Sequence, residues 1–366
     1  GILAQTRAGS HRRLWPLVTS AEMWFARARP AGLLRCVGGP RGTRACAGAS
    51  VIEAAAQDIA RDGYGVARLG AAASVRDMQD VAMRLMQVDT GRLGEYNGGG
   101  DVQRNTIDGS RFLDSSAGAP SEVAIQFHHE MAYAAAYPRY VTFAMVKQAE
   151  EEGTTLLADS VKVQQIMPAP LLGKFRELGV QYLRHMNDES DRGKPGFYVS
   201  WQEAFLTDSI DKAMSVGNNP DTFSSMDWVR QGWLRQTVWC PVFHHHPQHG
   251  ELFFNSILNR HGSWLDGHAH WGLQPYVERP YHCLWGDGVE FSADEVEEIR
   301  RVHRESTIAV HLDPGDVLVL DNLRVAHGRT PYRGGRLLGL LLSDMVQRAP
   351  CQPPDGYQPS GPPPPA

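Results

Sequence analysis

The stretch Pro314-Gly315-Asp316-Val317-Leu318-Val319-Leu320-Asp321-Asn322 constrains this chain more than any other. Pro-Gly-Asp spells a tight turn, and the apolar run that follows reads as a buried strand. It leads to His327 in Val325-Ala326-His327-Gly328-Arg329, and a second apolar strand is expected over residues 336–342.

Far upstream lies Ile125-Gln126-Phe127-His128-His129-Glu130-Met131. If this too is a strand, side chains alternate, so His128 and Glu130 share one face and His129 takes the other. An imidazole and a carboxylate so placed form half of a facial metal site, which one distant histidine would complete. Two histidines and one carboxylate leave three positions open on an octahedral Fe(II), the arrangement of non-haem oxygenases. By themselves, histidines are more often satisfied core or surface groups than ligands.

Composition narrows the field. A chain of 366 residues, 42% hydrophobic, can build one large domain or two modest ones. Its formal net charge of −5 provides no dominant basic field to collect phosphates, which argues against nucleic acid as a partner. Five scattered cysteines (Cys36, Cys46, Cys240, Cys283, Cys351) with no Cys-x-x-Cys pair fit a reducing, intracellular compartment and neither a disulfide scaffold nor a zinc ribbon. No run of 18 or more apolar residues marks a membrane span.

Residues 1–50 stand apart, with eight arginines against a single acid, Glu22. That is the composition of a plastid or mitochondrial transit segment; the plainer readings are a disordered basic arm or a remnant of a longer polypeptide. The folded domain is expected over residues 51–350, and residues 351–366, rich in Pro and Gly, form an extended tail or linker. Within the domain, helices are expected at 51–61, 74–88, 169–179 and 293–305, the last capped by Ser292 with Glu295 three residues on. Strands are expected at 65–69, 140–148, 181–185 and 251–258. Gly98-Gly99-Gly100 reads as a plain turn, and residues 150–153 as a charged loop. The polar segment 187–236 reads as a lid or an active-site wall. His244-His245-His246 cannot all face one ion on a strand. Many strands, with helices gathered toward the N-terminal half, suit a mostly β fold with flanking helices: a double-stranded β-helix, or cupin-like jelly roll.

From about Gly63 to Leu342 the chain resembles the taurine dioxygenase/clavaminate synthase-like superfamily of Fe(II)- and 2-oxoglutarate-dependent oxygenases, and within it the plant clavaminate synthase-like branch. The resemblance rests on Phe127-His128-His129-Glu130-Met131-Ala132, Glu203-Ala204-Phe205-Leu206-Thr207-Asp208, Phe254-Asn255-Ser256, Gly286-Asp287-Gly288, Gly315-Asp316-Val317-Leu318, and Asp321-Asn322 through His327-Gly328-Arg329 to Arg336. It implies that His128, Glu130 and His327 are the iron ligands and that Arg336 pairs with the far carboxylate of 2-oxoglutarate. It places Thr155 where the family has the threonine of a Gly-Gly-x-Thr turn, although here the turn reads Glu152-Gly153-Thr154-Thr155. Leu340 stands where taurine dioxygenase has a sulfonate-binding arginine, so a taurine-like sulfonate is not expected as substrate.

The expectation is thus a dioxygenase that takes Fe(II), 2-oxoglutarate and O2 and hydroxylates, desaturates or cyclises a small molecule. Related halogenases carry a small residue at the position of Glu130, so oxygen chemistry is favoured. A non-catalytic jelly-roll binding protein and a metal-dependent hydrolase on the same three residues are the alternatives. Arg104 and the 187–236 segment are expected to shape the substrate pocket. Substrate identity and oligomeric state are not encoded legibly.

Overall fold

The computed structural model describes residues 47–94, 105–107, 109–115, 121–219, 222–230, 232–349 and 353. Residues 1–46, Gly98-Gly99-Gly100, Arg104 and nearly all of the Pro-rich tail lie outside the described residues.

The apolar run forms the strand Asp316–Asp321, and every residue in it is buried. It sits between Tyr64–Arg68 and Ala136–Lys147 in a five-stranded antiparallel sheet, which Leu337–Gln347 and Leu113–Asp114 extend. Alternation divides its side chains. Val317 and Val319 pack with Met78, Ala82 and Leu85 of the helix Val75–Met86. Leu318 and Leu320 face the opposite way, toward Phe143, Leu340 and Leu342. Each such fully buried aliphatic side chain contributes roughly 1.5–3 kcal/mol. The turn before the strand depends on Gly315, whose φ of +90° and close approach to the Gly70 carbonyl leave no room for a Cβ.

A second, four-stranded antiparallel sheet runs in the order Thr307–Val310, Thr155–Asp159, Val325–Arg329, Ile125–His128. Its inner residues Leu157, Val310 and Val325 join the cluster of Leu318, Leu320 and Phe143, so the two sheets share one core. Its outer residues Phe127, Ala158 and Ala326 pack instead with Val163, Phe175, Ile299 and Val302 of the helices Ser160–Ile166, Ala169–Leu178 and Ala293–Glu305. Because Phe127 and Ala326 point out, their neighbours His128 and His327 point in.

The structure corrects several local expectations. The helix expected from Val51 begins at Ala47. The 251–258 segment is a strand only over Gly250–Phe253, after which Ile257–Arg260 turns helical. Residues Glu151–Glu152 of the charged loop pair as a short strand with Tyr332–Arg333. Among the described residues helices also occur in the C-terminal half, since the outer face of the second sheet needs its own cover. The 187–236 segment, expected as a lid or an active-site wall, also builds part of a sheet. Its strands Ser224–Arg230 and Trp233–Cys240 join Val180–Asn187 and Tyr281–Trp285 in a four-stranded sheet over a cluster that includes Met186, Trp201, Met226 and Leu234. The capping box at Ser292 and Glu295 is present as expected, and Cys240 and Cys283 are buried free thiols. Among the described residues no helix is long and apolar enough to cross a membrane.

Candidate metal centre

The register of the second sheet makes His128 and His327 direct cross-strand partners, and their rings lie 4.2 Å apart between centroids. Both reach into the space between the sheets, where Phe143 meets the edge of the His327 ring. Glu130 is not on that strand, which ends at His128. The chain turns at once, with Met131 at φ +59°, and the turn swings the Glu130 carboxylate back beside the two imidazoles. Its Oε2 lies 3.5 Å from His327 Nε2 and 3.8 Å from His128 Nε2. The expected companionship of His128 and Glu130 therefore holds, but a turn produces it and strand alternation does not.

Asn322 holds the turn. Its Oδ1 accepts the Glu130 N–H at 2.7 Å, and its Nδ2 donates to the Glu130 and Pro138 carbonyls at 3.1 and 2.8 Å. His129 is buried on the other side, where its Nε2 pairs with Ser160 Oγ at 3.1 Å and its Nδ1 accepts the Asn255 N–H at 3.1 Å. Burial holds its ring neutral, with a pKa well below the ordinary imidazole value. It is a structural residue.

The ligand atoms of His128, Glu130 and His327 lie within 4.8 Å of one another. His128 donates Nδ1–H to the Gln126 carbonyl at 2.8 Å, which leaves the Nε2 lone pair turned toward Glu130. Two imidazole nitrogens and one carboxylate suit a first-row divalent metal with open positions. A second group of that type, His261, His282 and Glu290, also exists among the described residues. There the Nδ1 atoms accept backbone N–H groups from Ser263 and Gly262. Both rings must then carry their proton on Nε2, and His282 gives it to Glu290 at 2.8 Å. That cluster is a hydrogen-bonded core group and is not prepared for a metal.

The three residues line a cleft of about 130 Å³ together with Thr155, Arg329, Arg336 and an aromatic wall of Tyr133, Tyr198, Trp264 and Tyr281. Thr155 is buried and pairs with Arg329 across the strands. Arg336 is largely buried, which lowers its pKa. Its Nη2 reaches the Gly153 carbonyl only at 3.4 Å, and its Nε is buried with no hydrogen-bond partner. Asp344, eight residues beyond Arg336, pairs with Arg92. A guanidinium left so poorly matched fits an incoming carboxylate. Gly153, at φ +75°, brings the turn against it, since a Cβ there would stand 3.4 Å from Arg336 Nε.

Arg329 departs from expectation. The Gly-rich turn around it suggests solvation, yet it is 5% exposed, on a central strand, and donates to the Val123 carbonyl at 2.7 Å. Burial first, and Arg336 second, lower its pKa to about 10. Arg333 is the solvated one. Of the 187–236 segment, Tyr198 reaches the cleft wall. Tyr133, Asn259, Arg260, Trp264 and Tyr281 escaped sequence reasoning, because nothing in their local pattern separates a cleft wall from a core. His244 and His246 bond Tyr137 and Asp321 and do not join His128, Glu130 and His327.

The model of the taurine catabolism dioxygenase TauD, TfdA family matches residues 51–341. Dapdiamide synthesis protein DdaC of Enterobacter agglomerans is 28% identical over 233 residues, 62% of this chain and 68% of that protein. A clavaminate synthase-like protein of Arabidopsis thaliana is 27% identical over 240 residues, 64% of this chain and 68% of its own. Among solved structures, asparagine oxygenase with Fe(II), 3-hydroxyasparagine and succinate aligns at a TM-score of 0.42 and 13% identity, covering 80% of this chain and 77% of that one.

Proposed function

The chain belongs to the TauD/TfdA family of dioxygenases, and from that premise we propose that it hydroxylates a small molecule at iron held by His128, Glu130 and His327. It is an oxidoreductase with Fe(II) and 2-oxoglutarate as its cofactors. The observation that carries the residue assignment is the convergence of these three side chains at one end of a cleft that also contains Arg336. The two facing antiparallel sheets support a double-stranded β-helix, a jelly roll, as the fold.

Bound here, Fe(II) with 2-oxoglutarate and O2 supplies the oxidising power to replace C–H by C–OH, with succinate and CO2 released. The chain's own contribution is placement. His128 and His327 present Nε2, and the Gln126 carbonyl holds the His128 tautomer by taking its Nδ1 proton. Glu130 fills the position that a halide would need, which favours oxygen transfer. Arg336 offers its unpartnered Nε to the far carboxylate of 2-oxoglutarate, beside Thr155. The aromatic wall of Tyr133, Tyr198, Trp264 and Tyr281 gives the substrate an apolar surface beside these groups. Desaturation and ring closure are variants of the same oxidation.

The hydrolase alternative needs a general base. Among the described residues lining the cleft, no histidine or acid exists beyond the three assigned to the metal. Anaerobic addition of Fe(II) and then 2-oxoglutarate should produce a weak visible charge-transfer band, followed under O2 by succinate. A band without succinate across a broad small-molecule screen would leave a binding protein, and no band at all would remove the oxygenase reading.

A further inference from the structure

Two successive turns of the chain bring neutral polar groups to the cleft. The short helix Ile257–Arg260 sinks Ile257 and Leu258 into the core and leaves Asn259 half-buried in the cleft lining. Among the described residues the Asn259 carboxamide has no hydrogen-bond partner. The tight helical turn Gly262–Leu265 follows, and from it the Trp264 indole lines the same cleft, its buried Nε1–H without an acceptor. A buried donor left unmatched is costly unless a ligand supplies the acceptor. The segment that carries both residues is already pinned. Arg279 Nη1 donates to the Gly262 carbonyl and to Asp266 Oδ1, each at 2.7 Å, and the Gly262 N–H donates to His282 Nδ1 at 3.1 Å. A ligand therefore meets groups whose ordering cost is already met by the fold.

The pattern of donors and acceptors selects the partner. A carboxylate matches the N–H groups of Asn259 and Trp264 but sets its oxygens against Asn259 Oδ1. An ammonium leaves both sets of N–H groups without an acceptor. It also finds no counter-charge, since Glu130, assigned above to the metal, is the sole acid among the described lining residues. Nor is the aromatic wall an open cage for a cation, because the Arg260 guanidinium already lies 4.1 Å from the ring centroids of both Tyr133 and Tyr281. A primary carboxamide matches each group. Its N–H donates to Asn259 Oδ1, and its carbonyl, with two lone pairs, accepts from Asn259 Nδ2 and Trp264 Nε1.

Resting on the oxygenase reading above, we infer that Asn259 and Trp264 recognise a primary carboxamide on the substrate and so determine its class: a small molecule that carries a neutral terminal amide.

The test uses protein loaded anaerobically with Fe(II) and saturating 2-oxoglutarate. Calorimetric titrations compare benzamide with benzoate and benzylamine, and 3-phenylpropionamide with 3-phenylpropionate and 3-phenylpropylamine. At least one amide is expected to bind roughly tenfold or more tightly than its acid and its amine. Asn259→Asp, which deletes the donors and adds a charge, removes that preference and shifts it toward the amine. Trp264→Phe, which keeps a ring and deletes the N–H, weakens the amide by roughly three- to tenfold and leaves the amine unmoved. Both variants keep the wild-type affinity for 2-oxoglutarate. Amides that bind no more tightly than the acids and amines, no binding by either amide, or an amide preference that survives Asn259→Asp overturns the inference while leaving the oxygenase reading intact. Should Asn259→Asp not fold, full amide affinity in Trp264→Phe overturns it. Wild-type protein that does not bind 2-oxoglutarate overturns both.

Discussion

Asn322 grips Glu130 by both ends of its backbone, accepting its N–H at 2.7 Å and donating to its carbonyl at 3.1 Å. The Glu130 carboxylate sits outside any strand, so no sheet ladder aims it. A single fully buried amide at the end of the strand Asp316–Asp321 does that work instead.

Replacing Asn322 by Ala should therefore act on two levels. Loss of three buried hydrogen bonds is expected to cost about 2–4 kcal/mol of stability. Fe(II) affinity should fall roughly 10–100-fold at temperatures where the variant is still folded. Metal binding unchanged in folded Asn322→Ala would mean that the turn aims Glu130 unaided.

Adjacent histidines should behave in opposite ways. His128→Ala is expected to abolish turnover and iron retention, as are Glu130→Ala and His327→Ala. His129→Ala should keep iron, and it should lower the melting temperature because it strands Asn255 N–H in the core. Iron content and melting curves of the purified variants decide this. Retention by His128→Ala with loss by His129→Ala would exchange their assignments.

Arg329 is buried and Arg336 half-buried in the same cleft, and their partners separate them as proposed anchors of the 2-oxoglutarate carboxylate. Arg329 already donates to Val123 at 2.7 Å, whereas Arg336 has only a long contact to Gly153 and a free Nε. Arg336→Leu is expected to weaken 2-oxoglutarate by roughly a few hundredfold, with iron affinity unmoved, because a desolvated charge pair is worth about 3–5 kcal/mol. If Arg329→Leu costs more affinity than Arg336→Leu in the same anaerobic titration, the anchor is Arg329.

Acid should destabilise the fold through its buried histidines. Burial lowers His185 and His261 to about 3 and His303 to about 4. Each ring is neutral when folded and takes up a proton more readily when unfolded. Their contribution is therefore complete above pH 6.5 and is lost as pH falls toward 4 and then 3. Each group steepens the loss by up to about 1.4 kcal/mol per pH unit in that window. Urea unfolding of the metal-free protein at pH 7, 6 and 5 measures the slope, and His303→Leu should make it shallower. An unchanged slope would show that His303 titrates normally.

Much of this architecture can be read along the chain because its signals are local. The apolar run 317–320 reports a buried strand, Ser292 and Glu295 report a helix start, and His128-x-Glu130 with a distant His327 reports the candidate metal ligands. Such features depend on residues within a few positions of one another, or on a resemblance carried by whole motifs. What tertiary structure alone decides is non-local. Which turn brings Glu130 to the histidines depends on Asn322, which lies 192 positions away. Whether Arg329 is wet or dry depends on the strands packed around it. Tyr133, Arg260, Trp264 and Tyr281 become one wall only when distant segments meet. Hydrophobic patterning marks a side chain as buried, but core and cleft exclude water by the same contacts, and only the arrangement of facing segments distinguishes a filled space from one left open.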